Sequence, residues 1–228
     1  KKVEPGDPRL NLVERAFAVG GRNWLWAGGI ACMPAREGRL YLTAATGAFP
    51  RKAAGRSMSG RITGKVAIDA IGRAVGGEGP PDDGGLAFHD DQGAQHASRS
   101  FRRCPGSHGI AQSVSRPGTP LDNAAAESSF KTLKRESAEG RSHGTRGEAK
   151  QDIFKRIELH CNRARMHPAL DCMSPQVEHY FLLRKQVITT RHLGQTGKAR
   201  GHHGAIMPAV DTLLELCAEC RALRTGTD

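Results

Sequence analysis

No apolar run in this sequence approaches the ~20 residues that a helix needs to span a bilayer, which argues against an integral membrane protein. No signal-peptide h-region stands at the start, and the chain opens on Lys1 rather than Met, so a fragment boundary or a processed start is expected there. Aromatic residues are scarce, at 5%, while glycines number 28; both are poor material for a tightly packed core. The six cysteines (Cys32, Cys104, Cys161, Cys172, Cys217 and Cys220) lack the spacing of a disulfide framework. Without a secretory signal, reduced thiols in a cytoplasmic protein are the expectation. Acid is also in deficit: 34 Lys and Arg face 23 Asp and Glu, for a formal charge of +11. Such a surplus favours a polyanionic partner, since neutralising phosphates releases condensed counterions, but it does not separate DNA from RNA or an anionic surface.

What is present reads as an α/β domain. Residues 1–22 are polar, carry Pro5 and Pro8, and suggest a linker. Three short strands are predicted at Trp24 to Met33, Arg39 to Thr46 and Lys52 to Ser59, separated by turn chemistry, so an antiparallel meander is expected. Thr63 to Val75 has helical spacing, and Gly76 to Gly85 reads as a loop. A brief apolar run, Leu86-Ala87-Phe88, ends on His89-Asp90-Asp91. A helix from Ser98 to Cys104 and a strand from Gly109 to Val114 follow. Asp122 or Asn123 is a candidate N-cap for a helix through about Glu136. Ser137 to Gly147 reads as a surface loop, Glu148 to about Arg165 as a helix, and Ser174-Pro175 as the start of another. Strands alternating with helices after a meander imply a mixed sheet.

The chemistry concentrates on Asp91 and Glu127, with 35 residues between them. The first stands where the chain leaves a strand; the second lies one turn into a helix. That arrangement brings two carboxylates to one sheet edge, and hard divalent cations need oxygen ligands of this kind. Acids also collect before turns and at helix N-termini, where the dipole favours them, so spacing alone does not establish a site.

The surrounding segments add to this. PAREGRLYL (34–42), RKAAGRSMSGRIT (51–63), FHDDQGAQHAS (88–98), HGIAQSVSRPGTPLDNAAAESSFKTLKRE (108–136) and IFKRIELHCNRARMHPALDCMSPQ (153–176) follow in collinear order. Together they resemble insertion-sequence transposases with a retroviral-integrase-like, DDE-type core over roughly residues 10–182. The resemblance implies an RNase H-like mixed five-stranded sheet flanked by helices over 23–185. It stops at about residue 186, and an irregular, partly disordered extension, as from a frameshifted or read-through tail, is expected over 186–228. It implies a Mg²⁺- or Mn²⁺-dependent DNA nucleotidyl transferase performing cleavage and strand transfer. Asp91 matches the second acid of the triad and Glu127 the third, both as catalytic and metal-binding residues. The first acid belongs on the first strand, where this chain has Gly29. Glycine offers no oxygen, so weakened metal binding and impaired catalysis are expected.

Further departures from the family pattern stand at Cys32, Gly47, Arg56, Gly60, His96, Ser129, His160, Cys161 and Cys172, with prolines at Pro50, Pro105 and Pro168. Many match single-base transitions, and a decayed copy of marginal stability is the expectation they raise. Lys131, Lys134 and Arg135 follow Glu127 at helical spacing and suit DNA phosphate contact; Arg163 and Arg165 are weaker candidates for it. A solvated basic face is the plain alternative for all five. The partners implied are double-stranded DNA at transposon ends and target, and further copies of the chain, in a bacterial cytoplasm associated with the nucleoid. The helix-turn-helix usual upstream in such transposases is not in this sequence. His202-His203 and Cys217-x-x-Cys220 could ligate zinc, but the cysteines fall in a helix-periodic stretch and read as an accident of spacing. A non-catalytic DNA-binding remnant is the alternative function; a nuclease acting on RNA–DNA hybrids fits less well, because the matching blocks continue past Glu127.

Overall fold

The computed structural model describes residues 11–49, 51–80, 85–91, 99–138 and 143–182. Strands β1 (Leu25–Ala35), β2 (Gly38–Gly47) and β3 (Ala53–Ser59) form the expected meander, with β1 antiparallel to β2 and β2 to β3. Helix α1 (Gly64–Glu78) leads to β4 (Ala87–Asp90), which pairs parallel to β1. Helix α2 (Arg99–Ser107) leads to β5 (Ala111–Val114), parallel to β4, and the sheet order is β3-β2-β1-β4-β5. A 3₁₀ turn at Pro120–Asn123 runs into α3 (Ala124–Ala138). Helix α4 (Arg146–Lys155) continues as a π-helix over Arg156–Ala164.

The sheet is covered on both faces, because its strands alternate between two apolar clusters. Trp26, Ala45 and Phe88 pack with Ala67, Ile71 and Ala74 of α1 and Phe101 of α2. Met33, Leu40 and Leu42 face the other way, against Leu133 of α3 and Ala149 and Ile153 of α4. Helix α1 can lie close on β3 because Gly55 has no side chain: a Cβ there would stand 2.2 Å from the Ala70 carbonyl oxygen.

Several boundaries differ from expectation, each for a local reason. Helix α1 runs three residues into the expected loop, where Glu78 is drawn in by Lys52 (2.8 Å) and Arg22 (3.2 Å), and Gly79 closes it in the left-handed region. Helix α4 starts at Arg146, because Thr145 Oγ1 accepts the Glu148 N–H (3.1 Å) and the Glu148 carboxylate accepts the Gly144 N–H (2.9 Å). The Thr145-x-x-Glu148 spacing is a capping-box signal. Pro105 lies inside α2, whereas Pro168 takes the first turn of a 3₁₀ segment, where no N–H is required. Arg56 ion-pairs with Glu158 and lies over the Phe154 ring at 4.5 Å, so the guanidinium is held by charge and by the aromatic face.

The chain divides into two compact units, 1–165 and 166–228. In the second, His167 bridges Met173 around the Pro168–Leu170 turn, and the Ser174 hydroxyl accepts the Val177 N–H at the head of the helix expected there, over 175–182. Pro50, His96, His202, His203, Cys217 and Cys220 lie outside the described residues. Among the described residues the four cysteines are free thiols, and no helix is long and apolar enough to cross a membrane.

Candidate metal and DNA site

The site is built from three elements that sequence separates widely. In β1, Gly29 pairs with Ala44 and shares its face of the sheet with Met33, toward α3. Asp91 follows the last residue of β4, and Glu127 stands in the first turn of α3. Gly29, Asp91 and Glu127 line a single pocket of about 350 Å³, together with Asn123, Phe130, Lys131 and Lys134. The α3 residues fall on one stripe, because Glu127, Lys131 and Lys134 recur at helical spacing. Arg135 and Arg163 are exposed and do not line the pocket; Arg165 is paired with Glu136 at 2.7 Å.

Gly29 leaves its place to a neighbour's ring. A Cβ added there would meet Phe130 Cε2 at 3.0 Å and Asn123 Nδ2 at 3.8 Å. Phe130 therefore occupies much of the space beside the glycine, on the side where a carboxylate would project.

Behind the pocket lies a polar frame that fixes the ends of β4 and β5. His89 is fully buried; its Nδ1 is 2.8 Å from Ser113 Oγ and its Nε2 is 3.1 Å from Ser115 Oγ. The Ser115 hydroxyl donates to the Asp90 carbonyl (3.1 Å), so it accepts from His89 Nε2–H, and Nδ1 then accepts from Ser113. Burial holds the His89 imidazole below its ordinary pKa, which suits this neutral tautomer.

Asp122 is the second anchor. The guanidinium of Arg116 takes both its oxygens (2.7 and 2.9 Å), Arg15 Nε reaches Oδ1 (2.8 Å), and Asn11 Nδ2 reaches Oδ2 (3.0 Å). Hydrogen bonds from Arg116, then from Arg15, hold this carboxyl well below the usual carboxylate range. Neither Asp122 nor Asn123 is the simple helix cap that the sequence suggests: one binds arginines, and the other reaches back to β1, where Asn123 Nδ2 donates to the Gly28 carbonyl (2.9 Å). A depressed folded pKa contributes stability above the unfolded value of about 4, and that contribution fades as pH falls. Asp122→Asn is therefore expected to lower the melting temperature near neutral pH, with the gap to the unaltered chain constant above about pH 5 and starting to narrow only as pH falls below about 4. Thermal melts across that range check it; a gap independent of pH would contradict it.

The integrase core domain matches residues 21–120 and again 108–175, which together take in β1 through the π-helix. The chain belongs to the integrase-core family of insertion-sequence transposases. It is 42% identical over 168 residues to the transposase for insertion sequence element IS904 of Lactococcus lactis subsp. lactis (strain IL1403), covering 74% of this chain and 66% of that protein. It is 34% identical over 166 residues to transposase InsF for insertion sequence IS3A of Escherichia coli (strain K12), covering 73% of this chain and 57% of the other. The chain thus spans somewhat under two thirds of the length of the curated relatives it matches. Among solved structures, the HTLV-2 integrase catalytic core domain in complex with magnesium (trimeric form) superposes with a TM-score of 0.52 at 16% identity, covering 69% of this chain and 96% of that one. At that identity the likeness shows the fold, which is RNase H-like as the sequence implied.

Asn123, Phe130 and the Asp122–Arg116 anchor are the residues that sequence reasoning did not place at the site. The one available signal was the run Pro120-Leu121-Asp122-Asn123, whose polar pair is too rich for a single cap.

Proposed function

We propose that this chain is the DNA-binding integrase core of a transposase whose cleavage and strand-transfer chemistry is impaired by glycine at position 29. The observation that carries the reading is the pocket itself, which gathers Asp91, Glu127 and Gly29 on three elements and has Lys131 and Lys134 on its wall. Among the described residues, no group of three or more His, Cys, Asp and Glu side chains could hold a metal ion. Two carboxylates nonetheless fit one hard cation, because magnesium keeps several waters and commonly takes one or two protein carboxylates plus substrate phosphates. Asp91 and Glu127 would hold it. A second ion would need a further carboxylate, and position 29 cannot supply one. When bound, the ion supplies Lewis-acid polarisation of a phosphodiester oxygen and lowers the pKa of an attacking water.

The chain's own contribution is positional. Lys131 and Lys134 offer ammonium groups one and two turns beyond Glu127, where they meet backbone phosphates without reading bases. Arg135 and Arg163 extend the basic surface beyond the pocket, and double-stranded DNA bound by more than one copy of the chain is the substrate this charge suits. Arg165 is the weakest of the five, since Glu136 already offsets its charge.

Fluorescence anisotropy with a duplex oligonucleotide at several salt concentrations tests the binding half. Lys131→Ala and Lys134→Ala are each expected to weaken binding for every sequence and to reduce the salt slope by about 1. Strand-transfer assays in Mg²⁺ and Mn²⁺ test the other half: the unaltered chain binds the duplex but transfers at or near background. A salt slope unmoved by either lysine, or efficient transfer by the unaltered chain, would contradict the reading.

A further inference from the structure

Residues 11–17 are fastened to both elements that carry the pocket's acids. One set of contacts runs to the end of β4. The Leu12 N–H donates to Ser113 Oγ (2.9 Å), whose own proton goes to His89 Nδ1 (2.8 Å). His89 Nε2–H donates in turn to Ser115 Oγ (3.1 Å), which holds the Asp90 carbonyl (3.1 Å). Phe17 meets the same imidazole edge to face, with ring centroids 6.1 Å apart. Asp91 is the residue that follows the held carbonyl.

The other set runs to the turn that opens α3. Asn11 Nδ2 (3.0 Å) and Arg15 Nε (2.8 Å) both reach the Asp122 carboxylate. That carboxylate is fully buried, and the 3₁₀ turn that carries it leads directly into α3 and Glu127. The segment is shaped for this contact. The Asn11 carboxamide oxygen accepts the N–H groups of Val13 (3.2 Å) and Glu14 (2.8 Å), and Glu14 and Arg15 take left-handed φ values of 46° and 67°. Such backbone is uncommon outside glycine and persists where the surrounding contacts enforce it.

Neither Asn11 nor Arg15 lines the pocket, so neither touches a bound ion or phosphate there. Their reach matters because metal sites tolerate little displacement. Magnesium asks for near-octahedral oxygens at about 2.1 Å, and such constellations work when their side chains are held to within about 0.5 Å. Asp91 and Glu127 stand on different elements, and one short segment is tied to the base of each.

We infer that residues 11–17 form a strap that sets the position of Asp91 against Glu127, with Asn11 and Arg15 as positioning residues acting through Asp122. The inference rests on the two-carboxylate site proposed above, and it makes the ion affinity of that site depend on residues outside it.

The test uses the full chain and Mn²⁺, with affinity read by electron paramagnetic resonance titration and stability by the urea midpoint. Asn11 is half-buried, Arg15 is exposed, and Arg116 still pairs Asp122 without them, so the double variant Asn11→Ala/Arg15→Ala is expected to fold. It should weaken Mn²⁺ binding by roughly fivefold. Arg15→Lys alone keeps a cation for Asp122 and should bind close to the unaltered chain. Thr145→Ala is the control for stability: it removes the cap of α4, outside this network, and should lower the midpoint at unchanged affinity. An affinity loss as large in Thr145→Ala as in the double variant would make the effect one of general stability and overturn the strap's role. Unchanged affinity in the double variant, with binding still sensitive to Asp91→Asn and Glu127→Gln, also overturns it and leaves the carboxylate site standing. Binding insensitive to all of these residues removes both.

Discussion

Gly29→Asp is expected to raise strand transfer by this chain on the order of 10³-fold, the effect of returning several kcal/mol of transition-state stabilisation from a second metal ion. The steric side of the substitution is tractable. Its Cβ meets Phe130 Cε2 at 3.0 Å, and that contact is the outer edge of a half-buried ring rather than backbone. A shift of a few tenths of an ångström in Phe130 relieves it, at about 1 kcal/mol. Loss of a strand glycine returns about 0.5–1 kcal/mol of backbone entropy, so the net change in stability should be small. Gly29→Ala separates the two effects: it carries the same Cβ without the carboxylate and should leave activity at background. Equal gains from Asp and Ala would mean that Phe130 displacement, not the acid, is responsible. No gain from Asp in a folded, DNA-binding variant would mean that other changes have also disabled the site.

The adjacent glycine should behave in the opposite way. Gly28 turns toward the other face of β1, where an added Cβ would lie 2.2 Å from Phe88 Cζ and 2.7 Å from its Cε2. Phe88 is 2% exposed and packs at 6.1 Å from the Phe101 ring centroid, so its ring has no free space to retreat into. Gly28→Ala is expected to destabilise the chain by about 3 kcal/mol, read as a lower denaturation midpoint in urea. The pair therefore reports the register of β1. Were Gly28 tolerant and Gly29 intolerant, the face assignment that sets position 29 opposite Asp91 and Glu127 would be wrong.

This register explains why so much of the fold was legible in advance. The strands of the meander are bounded by Pro34 to Gly38 and by Gly47 to Pro50, whose turn chemistry needs no tertiary knowledge. The apolar run before Asp91 and the polar break after it mark the end of β4 in the same local way. The pocket was legible only in part. Asp91, Glu127 and Gly29 came from motif order, and Lys131 and Lys134 from helical spacing. Asn123 and Asp122 looked like capping residues because capping is what a polar pair before a helix usually does. Their partners lie far along the chain: Gly28 is 95 residues from Asn123, and Arg15 is 107 from Asp122. No local signal encodes such contacts. Arg56 shows the same limit, since its place beside Glu158 and Phe154 depends on the π-helix packing near β3.

Equilibrium titration with Mn²⁺, counting bound ions per chain for the unaltered protein and for Gly29→Asp, tests most directly whether the pocket holds one divalent ion where two-metal strand transfer uses two. The expected result is one ion for the former and two for the latter, with both counts falling in Glu127→Gln. Two ions in the unaltered chain, or the same single ion in Gly29→Asp, would contradict it.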